Sequence, residues 1–303
     1  MQHLNHLSKS QQESILALIK AAHDFDGTPP IAEHVLLHLR HGGDKLDSHI
    51  VFKSDNQVIA YAHLDATDLI AGPSVEAVVH PNHRSKGLGA LILKEAIKVC
   101  GDKTRIWSHG DLPAAKAIAA SLKLERLWSN LLMSKSLGEV QPITSKYPIR
   151  TFIPDFDNQA FLMLNNKVFA NYPDQGGWSE DDLRVRLNEE WFQKEGFFVA
   201  EDKGQIIGFC WTKIHGAHTH SHNGEDDHGH DAIGEIYVLA VNPDYKEQGM
   251  GRDLTITGLN YLKYKGLNNV MLYVGVENKP AFNLYKSLGF NEFGSDVMYR
   301  VGK

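Results

Sequence analysis

Cysteine is scarce in this 303-residue chain, which contains only Cys100 and Cys210. Two cysteines do not make the disulfide framework of a small secreted domain, so we expect a reduced, cytoplasmic protein. Long apolar runs are also lacking, since none approaches the roughly 18 residues of a membrane span. The first six residues lack the basic and apolar regions of a secretory signal. With 31 Lys and Arg against 37 Asp and Glu, the net charge of −6 offers no basic excess for binding nucleic acid.

What the sequence does contain is a long internal repeat. Residues 79–89 read closely like residues 241–251, and residues 57–61 resemble residues 205–209. The spacing between matching segments differs by 14 residues for the two matches, so the second half must contain an insertion between its two matching segments. The His-rich tract at 215–232 lies between those segments. A period this long indicates a duplicated domain rather than a solenoid, whose units are much shorter.

The duplication predicts two domains, an N-terminal one over residues 1–140 and a C-terminal one over residues 149–303. A Pro-punctuated polar stretch at 138–148 separates them. Apolar spacing in the second half predicts helices over 161–169, 180–190, 251–264 and 280–287, and strands over 196–200, 205–212, 235–241, 270–274 and 297–301. Each half is therefore predicted to be a mixed α/β unit.

Both halves contain a Gly-x-Gly turn between a strand and a helix, at Gly87–Gly89 and at Gly249–Gly251. Glycine lets a backbone approach its ligand closely, and a helix N-terminus offers unpaired N–H groups, a combination that suits a pyrophosphate. A basic residue, Arg84 or Lys246, precedes each first glycine by three positions. A tight structural turn is the alternative interpretation of either motif taken alone. The Lys-Ser/Thr pair of a P-loop is missing.

These turns resemble the Gln/Arg-x-x-Gly-x-Gly/Ala motif of the GNAT superfamily of acetyl-CoA-dependent N-acetyltransferases, and residues 278–290 resemble the segment that follows it. The resemblance implies an α/β fold with a mixed sheet in each of two tandem domains, with acetyl-CoA as co-substrate and no metal requirement. It implies that acetyl-CoA contacts Ala77, Val78, Val79, Arg84, Ser85, Lys86, Gly87, Leu88, Gly89, Leu239, Ala240, Val241, Lys246, Glu247, Gln248, Gly249, Met250, Gly251, Arg252 and Asn278.

Four further blocks, at residues 33–40, 174–178, 209–213 and 234–238, narrow the resemblance to tandem-domain members of the superfamily. Among these, the blocks resemble the members that acetylate the cysteinyl amine of cysteinyl-glucosaminyl-inositol in the last step of mycothiol biosynthesis, so this is the expected reaction. The substrate-binding residues that the resemblance implies are Glu33, Asp174, Lys213, Glu235 and Tyr273. The expected partners are thus a small-molecule amine and CoA, with no nucleic acid and no membrane, and we expect a monomer.

The two halves differ in the residues that acetyl transfer needs. Glu235 opens a strand and is suited to accept a proton from the amine, whereas Pro73 stands 162 positions earlier. Tyr285 is suited to protonate the CoA thiolate, and its counterpart in the downstream alignment is Ala119. We therefore assign catalysis to the C-terminal half. The N-terminal half either binds acetyl-CoA or only supports the substrate site.

Several of these residues also have purely structural interpretations. Glu33 suits a helix N-terminus, Asp174 suits a turn, and Lys213 suits a solvated strand edge. Periodicity alone places Tyr285 in the core, and Cys210, within an apolar strand, is typical of a small buried residue rather than of a nucleophile, which favours direct transfer.

The His-rich tract contains potential ligands for Zn²⁺, Ni²⁺ or Cu²⁺, namely His215, His218, His220, His222, His228 and His230. A solvated loop is the simpler interpretation of such a tract. The rival functions are acetylation of another small amine, such as an aminoglycoside or a polyamine, sensing of acyl-CoA without catalysis, and metal binding through the His-rich tract.

Overall fold

The computed structural model describes residues 1–43, 46–55, 57–68, 71–172, 177–216, 232–246 and 248–302. The chain divides into two compact units, the first formed by Met1–Leu131 with Gly294–Lys303 and the second by Leu132–Phe293. The last ten residues therefore group with the first unit, whereas the sequence places them in the second domain. Of the helices described, none is long and apolar enough to cross a membrane.

The helices are α1 (Lys9–Asp26), α2 (Glu33–His41), α3 (Leu88–Cys100), α4 (Pro113–Ser121), α5 (Asn158–Val168), α6 (Glu180–Leu187), α7 (Met250–Tyr264) and α8 (Lys279–Ser287). The strands are β1 (Gln2–Leu4), β2 (Asp47–Ser54), β3 (Gln57–Asp65), β4 (Ser74–Val79), β5 (Arg105–Ser108), β6 (Leu124–Ser136), β7 (Ile149–Thr151), β8 (Phe197–Asp202), β9 (Gln205–His215), β10 (Ile233–Val241), β11 (Asn269–Gly275) and β12 (Asn291–Val301).

In the first unit the strands lie in the order β1-β2-β3-β4-β5-β12. The β4–β5 pair is parallel and the other paired strands are antiparallel. One cluster of buried apolar side chains comes from α1 and α2, and another includes Ile92 and Ala96 of α3. Val297 and Tyr299 of β12 belong to the second cluster, which explains why the end of the chain groups with this unit.

In the second unit the strands lie in the order β11-β10-β9-β8-β7, with β10 and β11 parallel. Its core is rich in aromatic side chains. The rings of Phe197 and Trp211 stack at 4.4 Å, and Phe152 stacks on the other side of Phe197 at 4.1 Å. Contacts between aromatic rings add to the free energy gained from burial. This core also contains Val238 and Ala240, so the aromatic side chains support strand β10.

The elements predicted for the second half are confirmed, and the differences lie at their ends. Helix α6 ends at Leu187 rather than at residue 190, because Asn188 forms its C-terminal cap. Strand β12 begins at Asn291 rather than at residue 297, a stretch whose polar residues and Gly294 hide the alternating pattern. Gly289, just after α8, has a left-handed conformation, with φ of +88°.

Candidate active site

Strands β10 and β11 pair over only part of their length. Their parallel register runs from Ile233 opposite Asn269 to Ile236 opposite Leu272, although β10 continues to Val241 and β11 to Gly275. On the other side, the pairing of β10 with β9 has an irregularity between Ile236 and Val238. Residues 237–241 therefore have no ladder partner on β11 among the residues described. Leu239, Ala240 and Val241 stay paired with β9, so among the residues described the backbone groups left without a strand partner are those on the side of β10 that faces β11.

The Gly-x-Gly turn of the second unit follows directly from the open end of β10. Gly249 has φ of +78° and precedes α7, whose N-terminus receives no side-chain cap. A Cβ atom at Gly249 would meet no atom within 4 Å, so the space beside it is open. Free N–H groups and the positive end of the helix dipole make this N-terminus a suitable place for a phosphate.

The residues predicted to contact acetyl-CoA around this turn differ in their exposure and in their hydrogen bonds. Lys246 is exposed, and the Gln248 amide oxygen accepts a hydrogen bond from the Tyr147 hydroxyl at 2.8 Å. Arg252 donates to the Ser287 hydroxyl at 3.2 Å. Glu247 lies outside the described residues, as does Asp174, the residue predicted for substrate binding.

The first unit repeats this geometry. Strands β4 and β5 pair only from Ser74 to Glu76, while β4 continues through Ala77 and Val78 to Val79, and Gly87 precedes α3 with φ of +80°. Again no side chain caps the helix N-terminus. The strand–turn–helix motif is thus present in both units, in agreement with the repeat.

Arg84 of the first unit forms an ion pair within the protein. Its two terminal nitrogens each donate to an Asp26 carboxylate oxygen at 2.7 Å, and its Nε donates to the Val79 carbonyl at 3.1 Å. This bidentate ion pair ties the turn to the end of α1. Arg84 is therefore held at the turn by contacts within the first unit.

Glu235 is buried at the start of β10 and has two basic neighbours on β9. Lys213 lies directly opposite it in the antiparallel register. His215, two residues further along β9, has its Nε2 atom at 2.6 Å from Glu235 Oε2. Opposite and alternate residues share one face of an antiparallel pair, so this face presents a carboxylate, an imidazole and an ammonium together.

Lys213 itself is set among aromatic rings. Its Nζ lies 4.3 Å from the centre of the Trp191 ring and 5.2 Å from that of Tyr237. The Tyr237 hydroxyl in turn accepts from Arg186 Nε at 3.1 Å. A cation over ring faces is attracted by their quadrupoles, most strongly where water is excluded. Lys213 is therefore buried on this face. The alternative interpretation of Lys213 as a solvated residue at a strand edge is wrong.

Tyr285 is buried on α8, the helix that packs against α7. Burial raises the pKa of its phenol well above the ordinary value, and the nearby Cys210 and Tyr172 raise it further. The hydroxyl is therefore protonated at neutral pH and able to donate. Asn278 caps the same helix by accepting from the Ala281 N–H, and its Nδ2 donates to the Tyr172 hydroxyl at 3.0 Å.

Cys210 is fully buried in β9. Burial raises the pKa of its thiol to about 12, so the thiolate that a nucleophile requires is not formed at neutral pH. Glu33 is the first residue of α2 in the first unit, and Tyr273 is the first residue of β11 beyond its paired segment with β10.

Three acid–base contacts, in two clusters, were not predicted from the sequence. His215 was interpreted as part of the His-rich tract, whereas its position two residues after Lys213 on a strand was the signal that both face Glu235. In the first unit the buried carboxylate of Glu76 lies 3.1 Å from His109 Nε2, and Asp296 lies 3.0 Å from His109 Nδ1. Burial opposes the charged form of His109, but the two carboxylates outweigh it and raise its pKa to about 10.

Comparison with known proteins agrees with this geometry. The acetyltransferase (GNAT) family matches residues 15–124 and 163–290. The mycothiol acetyltransferase of Acidothermus cellulolyticus is 43% identical, over 95% of this chain and 90% of that protein, and that of Thermobispora bispora is 40% identical over 95% of each. The structure of a tandem GNAT protein from the clavulanic acid biosynthesis pathway covers 100% of this chain and 99% of its own, with a TM-score of 0.68 at 16% identity. That likeness shows the fold, and the expected tandem GNAT architecture is confirmed.

Proposed function

The chain belongs to the GNAT family of acetyltransferases and, within it, to the mycothiol acetyltransferases, and from this membership we propose its reaction in residue detail. The enzyme transfers the acetyl group of acetyl-CoA to the cysteinyl amine of cysteinyl-glucosaminyl-inositol, which yields mycothiol. The amine nitrogen forms a bond to the thioester carbonyl carbon, the C–S bond breaks, and CoA leaves as the thiol.

The observation that carries this proposal is the open end of β10 beside the uncapped N-terminus of α7. In place of β11, an extended pantetheine arm meets the backbone groups of Leu239–Val241 that do not face β9. The pyrophosphate then lies at the Gly249 turn, where a backbone without a Cβ permits close approach. The same backbone N–H groups are the donors for the oxyanion that forms when the thioester carbonyl is attacked.

Glu235 is the proposed general base. The attacking amine arrives protonated at neutral pH and must lose a proton before its lone pair is available. Glu235 accepts that proton directly or through one water, and its 2.6 Å contact with His215 Nε2 holds the carboxylate in place. His215 is a positioning residue in this scheme, because it acts on the reaction through Glu235.

Tyr285 is the proposed proton donor to the leaving thiolate. Its phenol is protonated at neutral pH because burial raises its pKa, so it gives up its proton only to a base formed beside it during the reaction, which in this scheme is the thiolate. As the tetrahedral intermediate collapses, the nitrogen loses its second proton to solvent, and Tyr285 is reprotonated from solvent after CoA departs. Lys213 and Tyr273 are the proposed contacts for the hydroxyl-rich acceptor in the second unit. Asp174 and Glu33 are further substrate contacts proposed from the family membership alone.

Direct transfer follows from the state of the thiol in this unit. Cys210 is buried in an apolar strand and its raised pKa keeps it protonated, so a covalent acetyl-cysteine intermediate has no reactive nucleophile there. The first unit retains the open strand and the glycine turn, and we propose that it binds acetyl-CoA without turning it over.

The test is a product assay with purified enzyme and acetyl-CoA. Because the acceptor carries a thiol of its own, acetylated product should be followed by liquid chromatography and mass spectrometry rather than by a thiol reagent. Cysteinyl-glucosaminyl-inositol is compared with glucosaminyl-inositol, an aminoglycoside and a polyamine. Strong preference for the cysteinyl amine supports the proposal, and equal or greater turnover of another amine would overturn it.

A further inference from the structure

Three side chains from three different elements of the first unit meet beneath α2. His38 Nδ1 on α2 lies 2.8 Å from Asp47 Oδ2 at the start of β2. His63 Nε2 on β3 lies 3.8 Å from the same oxygen. The three ligand atoms are all within 4.8 Å of one another, and Asp47 and His63 are buried.

His63 provides a second observation, because its side chain is 1% exposed and its Nε2 has no hydrogen-bond partner among the residues that the structure describes. Its other nitrogen, Nδ1, lies 3.4 Å from the Tyr61 hydroxyl, which also contacts His49 Nδ1 at 2.8 Å. A Tyr61 hydroxyl that donates to His49 leaves its oxygen to accept from His63 Nδ1–H. In that arrangement the lone pair of His63 lies on Nε2 and is directed toward Asp47.

We propose that His38, Asp47 and His63 form a binding site for a divalent transition metal ion of the Zn²⁺ type. Two imidazoles and one carboxylate are a ligand set that such ions favour. In a tetrahedral zinc site the ligand atoms are about 3.3 Å apart, which falls between the 2.8 Å and 3.8 Å separations found here.

Binding of the ion requires small local changes. The ion replaces the proton shared between His38 and Asp47 and takes up the lone pair of His63, so the buried polar atom gains a partner. The Tyr61 contact on His63 Nδ1 then plays the part of the outer hydrogen bond that commonly fixes a metal-bound imidazole. The fourth position of a tetrahedral ion is left to water or a small ligand.

The site is separate from the groups proposed for acetyl transfer in the second unit. Its protein ligands join α2 to β2 and β3, so a bound ion would fix α2, the helix that begins with Glu33. Binding of the ion is therefore expected to stabilise this part of the first unit.

The experiment uses the full chain in which His218, His220, His222, His228 and His230 are replaced by Ser, so that the His-rich tract does not contribute ligands. Zn²⁺ binding to the metal-free protein is measured by competition with a chromophoric chelator, and Co²⁺ is added in parallel to record the visible absorption of a four-coordinate site. We expect one ion per chain. Asp47→Asn and His63→Gln should each weaken binding by at least about tenfold.

His83→Gln removes a half-buried imidazole of the same unit and is the matched control, with binding unchanged. Circular dichroism without metal checks that each variant is folded, and if Asp47→Asn is not, His38→Gln carries the same test on a half-buried residue. Binding of no ion by the parent chain, or equal affinity of the ligand variants and the His83→Gln control, would overturn the proposal.

Discussion

His215 Nε2 lies 2.6 Å from Glu235 Oε2, across the antiparallel pair β9 and β10. Lys213 lies on the same face, directly opposite Glu235. The carboxylate is thereby fixed at the edge of the segment where β10 separates from β11. A general base must be held in a fixed position, because a proton is transferred only over hydrogen-bond distance.

Replacing Glu235 by Gln keeps the shape of the side chain and removes its ability to accept a proton. We expect kcat to fall by about 10²–10⁴-fold, the usual contribution of a general base. Acetyl-CoA affinity, measured by isothermal titration calorimetry, should stay the same, because the turn at Gly249 is untouched. Turnover equal to that of the wild type near neutral pH would remove Glu235 from the mechanism.

His215→Gln is the companion variant for the positioning role. It retains a hydrogen-bond donor near Glu235, so kcat should fall less than in Glu235→Gln while the pH–rate profile shifts. A simple loss of folding would instead lower the thermal unfolding temperature without moving that profile.

Tyr285→Phe removes the proton donor and leaves the ring in its contact with Phe290, whose centre is 5.7 Å away. We expect kcat to fall by at least about 10²-fold while the KM for acetyl-CoA changes little. Steady-state kinetics at several pH values provides the measurement. If Tyr285 is only a core residue, stability changes and kcat does not.

Cys210→Ala tests direct transfer. Because the thiol is buried and its pKa is raised to about 12, we expect wild-type kcat and no acetylated enzyme by intact-protein mass spectrometry under acetyl-CoA alone. The lost packing should lower the free energy of unfolding by about 1 kcal/mol. Abolished turnover in a folded variant, with an acetyl adduct on the wild type, would establish a covalent route.

The local patterns of the sequence were sufficient to predict the elements that form the cofactor turn. Apolar strand residues, a Gly-x-Gly turn and a helical period are each encoded within about ten neighbouring positions, and the structure places them as expected around Gly249. Strand β10, which separates from β11 after Ile236, is one of these predicted strands. Burial of Tyr285 also agrees with its helical spacing.

Contacts between distant residues were not predictable in this way. Arg84 pairs with Asp26, 58 positions away, so a motif residue expected at a phosphate is engaged elsewhere. His109 pairs with Asp296, 187 positions away, because β12 lies beside β5. No local period encodes such pairings, since they depend on strand order.

The His109 cluster predicts a pH dependence of stability. The folded pKa of about 10 lies above the ordinary value of 6.5, so the stabilisation from charged His109 is complete below pH 6.5 and is lost as the pH rises through 10. Burial favours the neutral form of Glu76, but the charge and the hydrogen bond of His109 outweigh the effect of burial. The pKa of Glu76 is therefore lowered to about 2. That contribution is present above pH 4.5 and is lost as the pH falls through 2.

His109→Gln should therefore destabilise the chain most near pH 5–6.5, by about 3–5 kcal/mol, because it leaves the Glu76 carboxylate buried without its cation. Urea unfolding of both proteins from pH 5 to pH 10 measures the difference, which should shrink at the alkaline end. A constant difference across that range would show that His109 is not charged in the folded protein.

Gly249→Ala and Gly87→Ala form a matched pair that separates the roles of the two units. Both glycines have φ near +80° and open space where a Cβ would lie, so each substitution costs about 1–2 kcal/mol of backbone strain and clashes with nothing in the protein itself. If acetyl-CoA is consumed at the second unit, Gly249→Ala should raise its KM by about tenfold or more, whereas Gly87→Ala should lower the binding stoichiometry measured by calorimetry and have a much smaller effect on turnover. The opposite pattern, with turnover lost in Gly87→Ala and retained in Gly249→Ala, would assign catalysis to the first unit.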